Sequence, residues 1–77
     1  MRDLLLWLTQ ELVEHRDAVR VDAVERDRSV VLELEVDPSD LGRVIGRGGK
    51  TARALRTVVD AAARREGRRV VVDILDG

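Results

Sequence analysis

Val44-Ile45-Gly46-Arg47-Gly48-Gly49-Lys50 is the stretch on which the fold turns. An apolar pair leads into Gly-x-x-Gly, a basic residue lies inside the motif, and a lysine closes it where a helical pattern begins. Three of the chain's six glycines fall within four positions. Glycine loses more backbone freedom on folding than any other residue, so the cluster is costly unless the backbone needs dihedrals that a Cβ forbids or must lie close to something. The spacing predicts a tight turn between two helices. The second helix would then offer unpaired N–H groups and the positive end of its dipole. Arg47 and Lys50 add full charges beside them. Such an arrangement suits a phosphate, and we read the loop as a grip on a nucleic-acid backbone. A purely structural corner is the alternative that Gly-x-x-Gly alone leaves open.

Two other glycine motifs do not fit. A P-loop needs Gly-x-x-x-x-Gly-Lys-[Ser/Thr]; Gly49-Lys50-Thr51 supplies its end, but Val44 stands where the first glycine belongs. A dinucleotide fingerprint needs G-x-G-x-x-G; Gly46 and Gly48 fit, and Thr51 occupies the third place. Both motifs follow a strand, whereas residues 38–45 read as helix.

At 77 residues the chain is one domain of modest stability, since a chain near this size buries only about 60% of its unfolded surface. It has no cysteine, hence no disulfide and no thiolate metal site, and a single histidine excludes a histidine-based zinc site. No apolar run approaches the ~18 residues of a membrane span. Asp3, Gln10, Glu11 and Glu14 around the first leucines are unlike a signal peptide, so a cytoplasmic protein is expected. The net charge of −1 conceals segregation. Residues 1–40 carry five arginines and eleven acids, a net of −6; residues 41–77 carry nine basic residues and four acids, a net of +5. Such asymmetry points to an interaction face, unless it serves solubility alone.

Asp3 to His15 has helical spacing, with Leu4, Leu5, Leu8, Leu12 and Val13 on one stripe. Trp7 falls at its edge, as a core margin or as a contact with a second chain. His15 reads as a solvated residue near the helix end. Residues 18–25 and 30–36 alternate, with Val19, Val21 and Ala23, then Val30, Leu32, Leu34 and Val36, facing inward; a polar turn at 26–29 makes them an antiparallel hairpin. Asp37 caps the next helix and Pro38 opens it. Leu41, Val44 and Ile45 form its apolar side, and Gly42 is unusual within it, a place where backbone or ligand could approach closely. Residues 50–66 form a longer helix with Ala52, Leu55, Val58, Val59 and Ala62 inward and Arg53, Arg56, Arg64 and Arg65 outward, stopped by Gly67. The outward arginines also fit a merely solvated face. Residues 70–75 are a final strand whose continuous apolar character predicts burial on more than one side, and Asp76-Gly77 reads as a fraying end. The expected fold is α+β: α-β-β-α-α-β, a three-stranded mixed sheet of order 1-2-3 with helices on one face.

With the glycine motif between two helices and a strand after them, the chain resembles the K-homology (KH) RNA-binding domain. A helix and strand preceding the core match the bacterial type II form. The length and the ending Glu66-Gly67-Arg68-Arg69-Val70-Val71-Val72-Asp73-Ile74 resemble the KhpA family of free-standing KH proteins. The resemblance spans residues 1–77 as a single KH domain. It implies single-stranded RNA held by its backbone along about four nucleotides, with bases against an apolar surface. Carried over, Gly46, Arg47, Gly48 and Gly49 are the clamp, Lys50 and Arg53 flank the phosphates, and Arg43 is a further candidate for RNA binding. Leu41, Val44 and Ile45 with Leu34 and Val36 are the candidate floor, the alternative for each being core packing. The resemblance also implies self-association or pairing with a KhpB-type (Jag/EloR) protein, RNA-chaperone or regulatory activity, and a link to cell-wall and cell-shape control. It implies no cofactor, metal, membrane or small-molecule substrate. In one respect the chain departs from RNA binders that stack bases. Its single aromatic residue, Trp7, lies far from the loop in sequence, so stacking worth roughly 1–3 kcal/mol per base is missing and weak, salt-sensitive binding is expected. A dimerisation module with little RNA contact is the other functional reading. Asp37 and Asp40 near a helix start have no nucleophile or metal cluster beside them; capping explains both, and an enzyme is not expected.

Overall fold

The alternating segments build the frame. In the computed structural model, which describes residues 1–76, β1 (Arg20–Glu25) and β2 (Val30–Glu35) pair antiparallel, with Val21 opposite Leu34 and Ala23 opposite Leu32. The turn between them closes with the Arg26 N–H donating to Ser29 O at 2.8 Å. β3 (Val70–Ile74) runs parallel to β2, with Leu32 opposite Val72 and Leu34 opposite Ile74. The order is β1-β2-β3, as the crossover predicts.

Three helices cover one face: α1 (Arg2–Gln10), α2 (Leu41–Ile45) and α3 (Lys50–Arg65). Leu5 of α1, Val44 of α2 and Val59 of α3 meet Val21, Leu32 and Leu34 of the sheet in one cluster with no exposed surface to speak of. Truncating Leu5, Leu32 or Leu34 to alanine would cost about 2–5 kcal/mol each. Leu34 and Val44 are thus core residues. The expectation that they offer a floor to RNA is corrected by their complete enclosure.

Other expectations are corrected as well. α1 stops at Gln10 rather than running to His15; residues 11–12 turn, and Arg16–Ala18 form a 3₁₀ segment. Pro38–Asp40 is likewise a 3₁₀ turn ahead of α2, capped by the Asp37 carboxylate, which accepts from the Ser39 amide at 2.9 Å. Ala23 is exposed at the far end of β1. Val58 is 46% exposed, one position off the face that Leu55 and Val59 bury. β3 is an edge strand with one open face, so Val71 is exposed between the buried Val70 and Val72. No backbone packs closely on Gly42, which faces solvent with nothing within 4 Å of where its Cβ would be. Gly67 does stop α3, at φ 69°. Gly77 of the expected fraying end lies outside the described residues.

Candidate nucleic-acid interface

The corner between α2 and α3 uses its glycines in two ways. Gly46 has φ 76° and ψ 169°, a conformation essentially reserved for glycine. A Cβ there would lie 2.8 Å from the Thr51 amide nitrogen and closer still to the Thr51 side chain. Gly46 is therefore required to close the turn. Gly48 and Gly49 also have positive φ, 63° and 77°, but a Cβ on either would meet nothing within 4 Å. Their bare main chain faces open space, into which another molecule can come flush.

The turn is held from within. The Gly46 N–H donates to Gly42 O at 2.9 Å, and the Gly49 N–H to Gly46 O at 3.1 Å. The Lys50 N–H returns to Arg47 O as α3 begins. Sixteen residues of α3 start at this point, so its dipole's positive end lies at the corner. Arg47 and Lys50 are exposed, and among the described residues neither is in an ion pair. Arg53, one turn on, donates from Nη2 to Gly48 O at 3.3 Å and brings a third cation against the loop.

From Arg53 the cationic surface continues into a groove of about 330 Å³ between α3 and the free edge of β3, lined by Arg53, Arg56, Thr57, Val70, Val71 and Val72, with Asp60 beside them. Arg56 Nε donates to Val72 O at 3.3 Å. The Val72 carbonyl therefore points away from β2 toward the groove, and the amide of the same residue shares that edge. Asp60, the acid in the groove, is paired to Arg64 at 3.1 Å. Loop, arginines, aliphatic edge and the main-chain groups of that edge form one surface. It can grip phosphates at one end and offer apolar and hydrogen-bonding contacts to bases along its length.

The predicted residues divide over this geometry. Gly46, Arg47, Gly48, Gly49, Lys50 and Arg53 come together as expected, and Ile45, 36% exposed, stands beside them. Leu41 and Val36 lie elsewhere. They line a separate cleft with Glu35, Pro38, Leu75 and Asp76, where the carboxylates disfavour a polyanion. Arg43 is tied down: its guanidinium pairs with Glu14, and its Nε with Asp40 at 3.3 Å. Arg56, Thr57 and the β3 edge join the loop residues, although the sequence alone does not single them out for RNA. The i, i+3, i+4 spacing of Arg53, Arg56 and Thr57, with β3 placed last in the sheet order, is the signal that could have found them.

At the other end of α2, the buried Asp40 carboxylate accepts from the Glu14 amide at 3.1 Å and the His15 amide at 3.0 Å. His15 Nδ1 lies 3.0 Å from it as well. Capping does not explain Asp40, whose side chain makes no cap bond to α2 and instead anchors the distant loop after α1. Burial alone would raise its pKa; the hydrogen bonds from His15 and Glu14 outweigh that and hold it below the ordinary 3.8. The hydrogen bond to Asp40, followed by the charge of Asp37, holds His15 above 6.5. Asp37 is held below 3.8 by the Ser39 hydroxyl and amide. His15 is thus a hydrogen-bonded partner rather than a solvated helix end.

Comparison with known proteins gives concordant results. A family model described as "KhpA/KhpB, KH domain" matches residues 2–74. The chain is 54% identical over 72 residues to a protein of Leifsonia xyli, covering 94% of this chain and 92% of that one. It is 47% identical over 76 residues to one of Aquifex aeolicus, covering 99% and 96%. A Bacillus subtilis protein is 41% identical over 76 residues, covering 99% and 94%. Each of these three relatives is named RNA-binding protein KhpA.

Proposed function

The chain belongs to the KhpA/KhpB family of KH domains, a fold of type II order and not an enzyme family, and on that premise we propose that it binds single-stranded RNA. Gly46 to Gly49 would clamp the backbone. Arg47, Lys50 and Arg53 would meet its phosphates, with Ile45 beside them. The groove along α3 and β3 would take the bases. The observation that carries the reading is the bare main chain of Gly48 and Gly49 facing open space beside two uncommitted cations. Backbone approach of this kind serves a polyanion and serves little else. The reading extends to a cytoplasmic RNA chaperone or regulator that works with a KhpB-type partner, whose KH domain the same family description covers, and through it in cell-wall and cell-shape control.

The test is the double substitution Arg47→Asp with Gly48→Asp, measured by fluorescence anisotropy with a labelled single-stranded oligouridylate. Affinity should fall by roughly thirtyfold or more, and the slope of log affinity against log salt should become shallower by about 1. Unchanged RNA binding in a folded variant would remove the clamp assignment.

A second reading, a dimerisation module, draws on Trp7, 56% exposed on α1, and Val58, 46% exposed on α3. Large apolar side chains left on the helical layer suit a second chain. The double substitution separates the readings, because it lies away from both residues and should leave sedimentation unchanged.

A further inference from the structure

The side of the sheet turned away from the helices is arranged in rows. Asp22, Glu33 and Asp73 stand directly opposite one another across β1, β2 and β3. Val24, Val31 and Val71 form the neighbouring row. Like charges facing each other on adjacent strands repel, with Cβ atoms about 4.5–5.5 Å apart in an antiparallel pair. Two positions further along β2, Glu35 shares that outer face. There the row meets the cleft of about 150 Å³ lined by Glu35, Val36, Pro38, Leu41, Leu75 and Asp76. Among the described residues, none of Asp22, Glu33, Glu35, Asp73 and Asp76 is in an ion pair. Arg20, opposite Glu35, is the one cation at an outward strand position. Nor do these acids form a group that could hold a metal ion.

We propose that this face docks a basic segment of a partner protein, with one long cationic side chain seated in the cleft. The cleft combines an apolar floor with carboxylates, and its volume suits one arginine or lysine. A lysine or arginine buries its aliphatic stem on such a floor and keeps its charged head with the acids. Further cations of the segment would lie over Glu33 and Asp73 and relieve the repulsion along the row, while its apolar residues cover Val31 and Val71. Charge complementarity selects the occupant, since the acids that attract a basic peptide repel RNA. The inference does not rest on the RNA reading: the two surfaces share Val71 at the edge of β3, and the other RNA-facing residues lie along α3 and at the glycine corner.

The probe is a labelled peptide alternating arginine with leucine, titrated into the full chain and followed by amide chemical shifts and anisotropy. Shifts should appear at Glu33, Glu35, Leu41 and Leu75. The double variant Glu33→Gln with Glu35→Gln should bind the peptide roughly tenfold more weakly. Its melting midpoint should rise or hold, because like charges have been removed, and its affinity for oligouridylate should not fall. Three results would each overturn the proposal: peptide shifts confined to the loop and α3, equal peptide affinity in the variant, or equally tight binding of a peptide with glutamate in place of arginine. A change in the variant's sedimentation would assign the face to a second copy and would also overturn it.

Discussion

The two ends of α2 are built in opposite ways. Its first end is fastened: Asp40, 1% exposed, gathers the amides of Glu14 and His15, the His15 ring and the Arg43 guanidinium. Every strong acceptor there has a donor, and the contacts span 25 and 26 residues of sequence. Its second end is stripped. Three glycines follow within four positions, and the space over two of them is empty. A helix of five residues has almost no stability of its own. Fixing one end to a distant loop, and Val44 into the core, allows the other end to be spent on binding rather than on holding the fold.

The contrast can be broken most forcefully at the fastened end. Asp40→Ala removes a buried carboxylate and leaves two part-buried amides without their acceptor, and the thermal midpoint should drop by roughly 10 °C or more. Below that midpoint, affinity for oligouridylate should stay within about threefold of the parent chain, since the stripped end is intact. Equal loss of stability and binding would show that the two ends are not separable.

The stripped end can be sharpened by comparing two of its glycines. Gly46→Ala should destabilise the fold by about 2–4 kcal/mol, from the strained dihedral together with the collision against the Thr51 amide. Gly48→Ala should cost only about 1–2 kcal/mol, the penalty for a left-handed residue in open space. Urea denaturation measures both. The order would reverse if Gly48 rather than Gly46 closed the corner.

These contrasts also explain what was legible beforehand. The glycine corner, the inward alternation of β2 and the stop at Gly67 are local patterns, while the parallel partnership of β2 with β3 follows from the helical crossover between them, and all of these read correctly. The end of α1 did not, because Leu12 and Val13 continue its helical spacing while the bonds from Asp40 that pull Glu14 and His15 out of a helix come from far along the chain. The floor was misplaced for a related reason. Apolar character marks Leu34 and Val44 equally as core and as surface, and only packing separates them. Arg56 was indistinguishable from a solvated arginine until β3 lay beside it.

The smallest predicted effect is on pH. The fold favours protonated His15, so that stability is fully present below pH 6.5 and drains away as pH rises through the higher folded value. It favours ionised Asp40 and Asp37, whose contribution is full above about 3.8 and disappears as pH falls through their lower folded values. Stability should therefore be greatest between about pH 4 and 6.5. In His15→Gln the decline above pH 6.5 should vanish while the acid limb remains; melting midpoints from pH 3 to 9 would show it. An unchanged alkaline limb would mean that His15 does not report on the fastened end.

The most direct measurement is an amide chemical-shift map of the full chain titrated with single-stranded oligouridylate. The largest shifts should fall at Gly46, Arg47, Gly48, Gly49 and Lys50 and continue through Arg53 and Arg56 to Val71 and Val72, with Glu14, His15 and Leu41 undisturbed. Shifts centred on Leu41, Val36 and Leu75, or a loop that stays silent while RNA binds elsewhere, would contradict it.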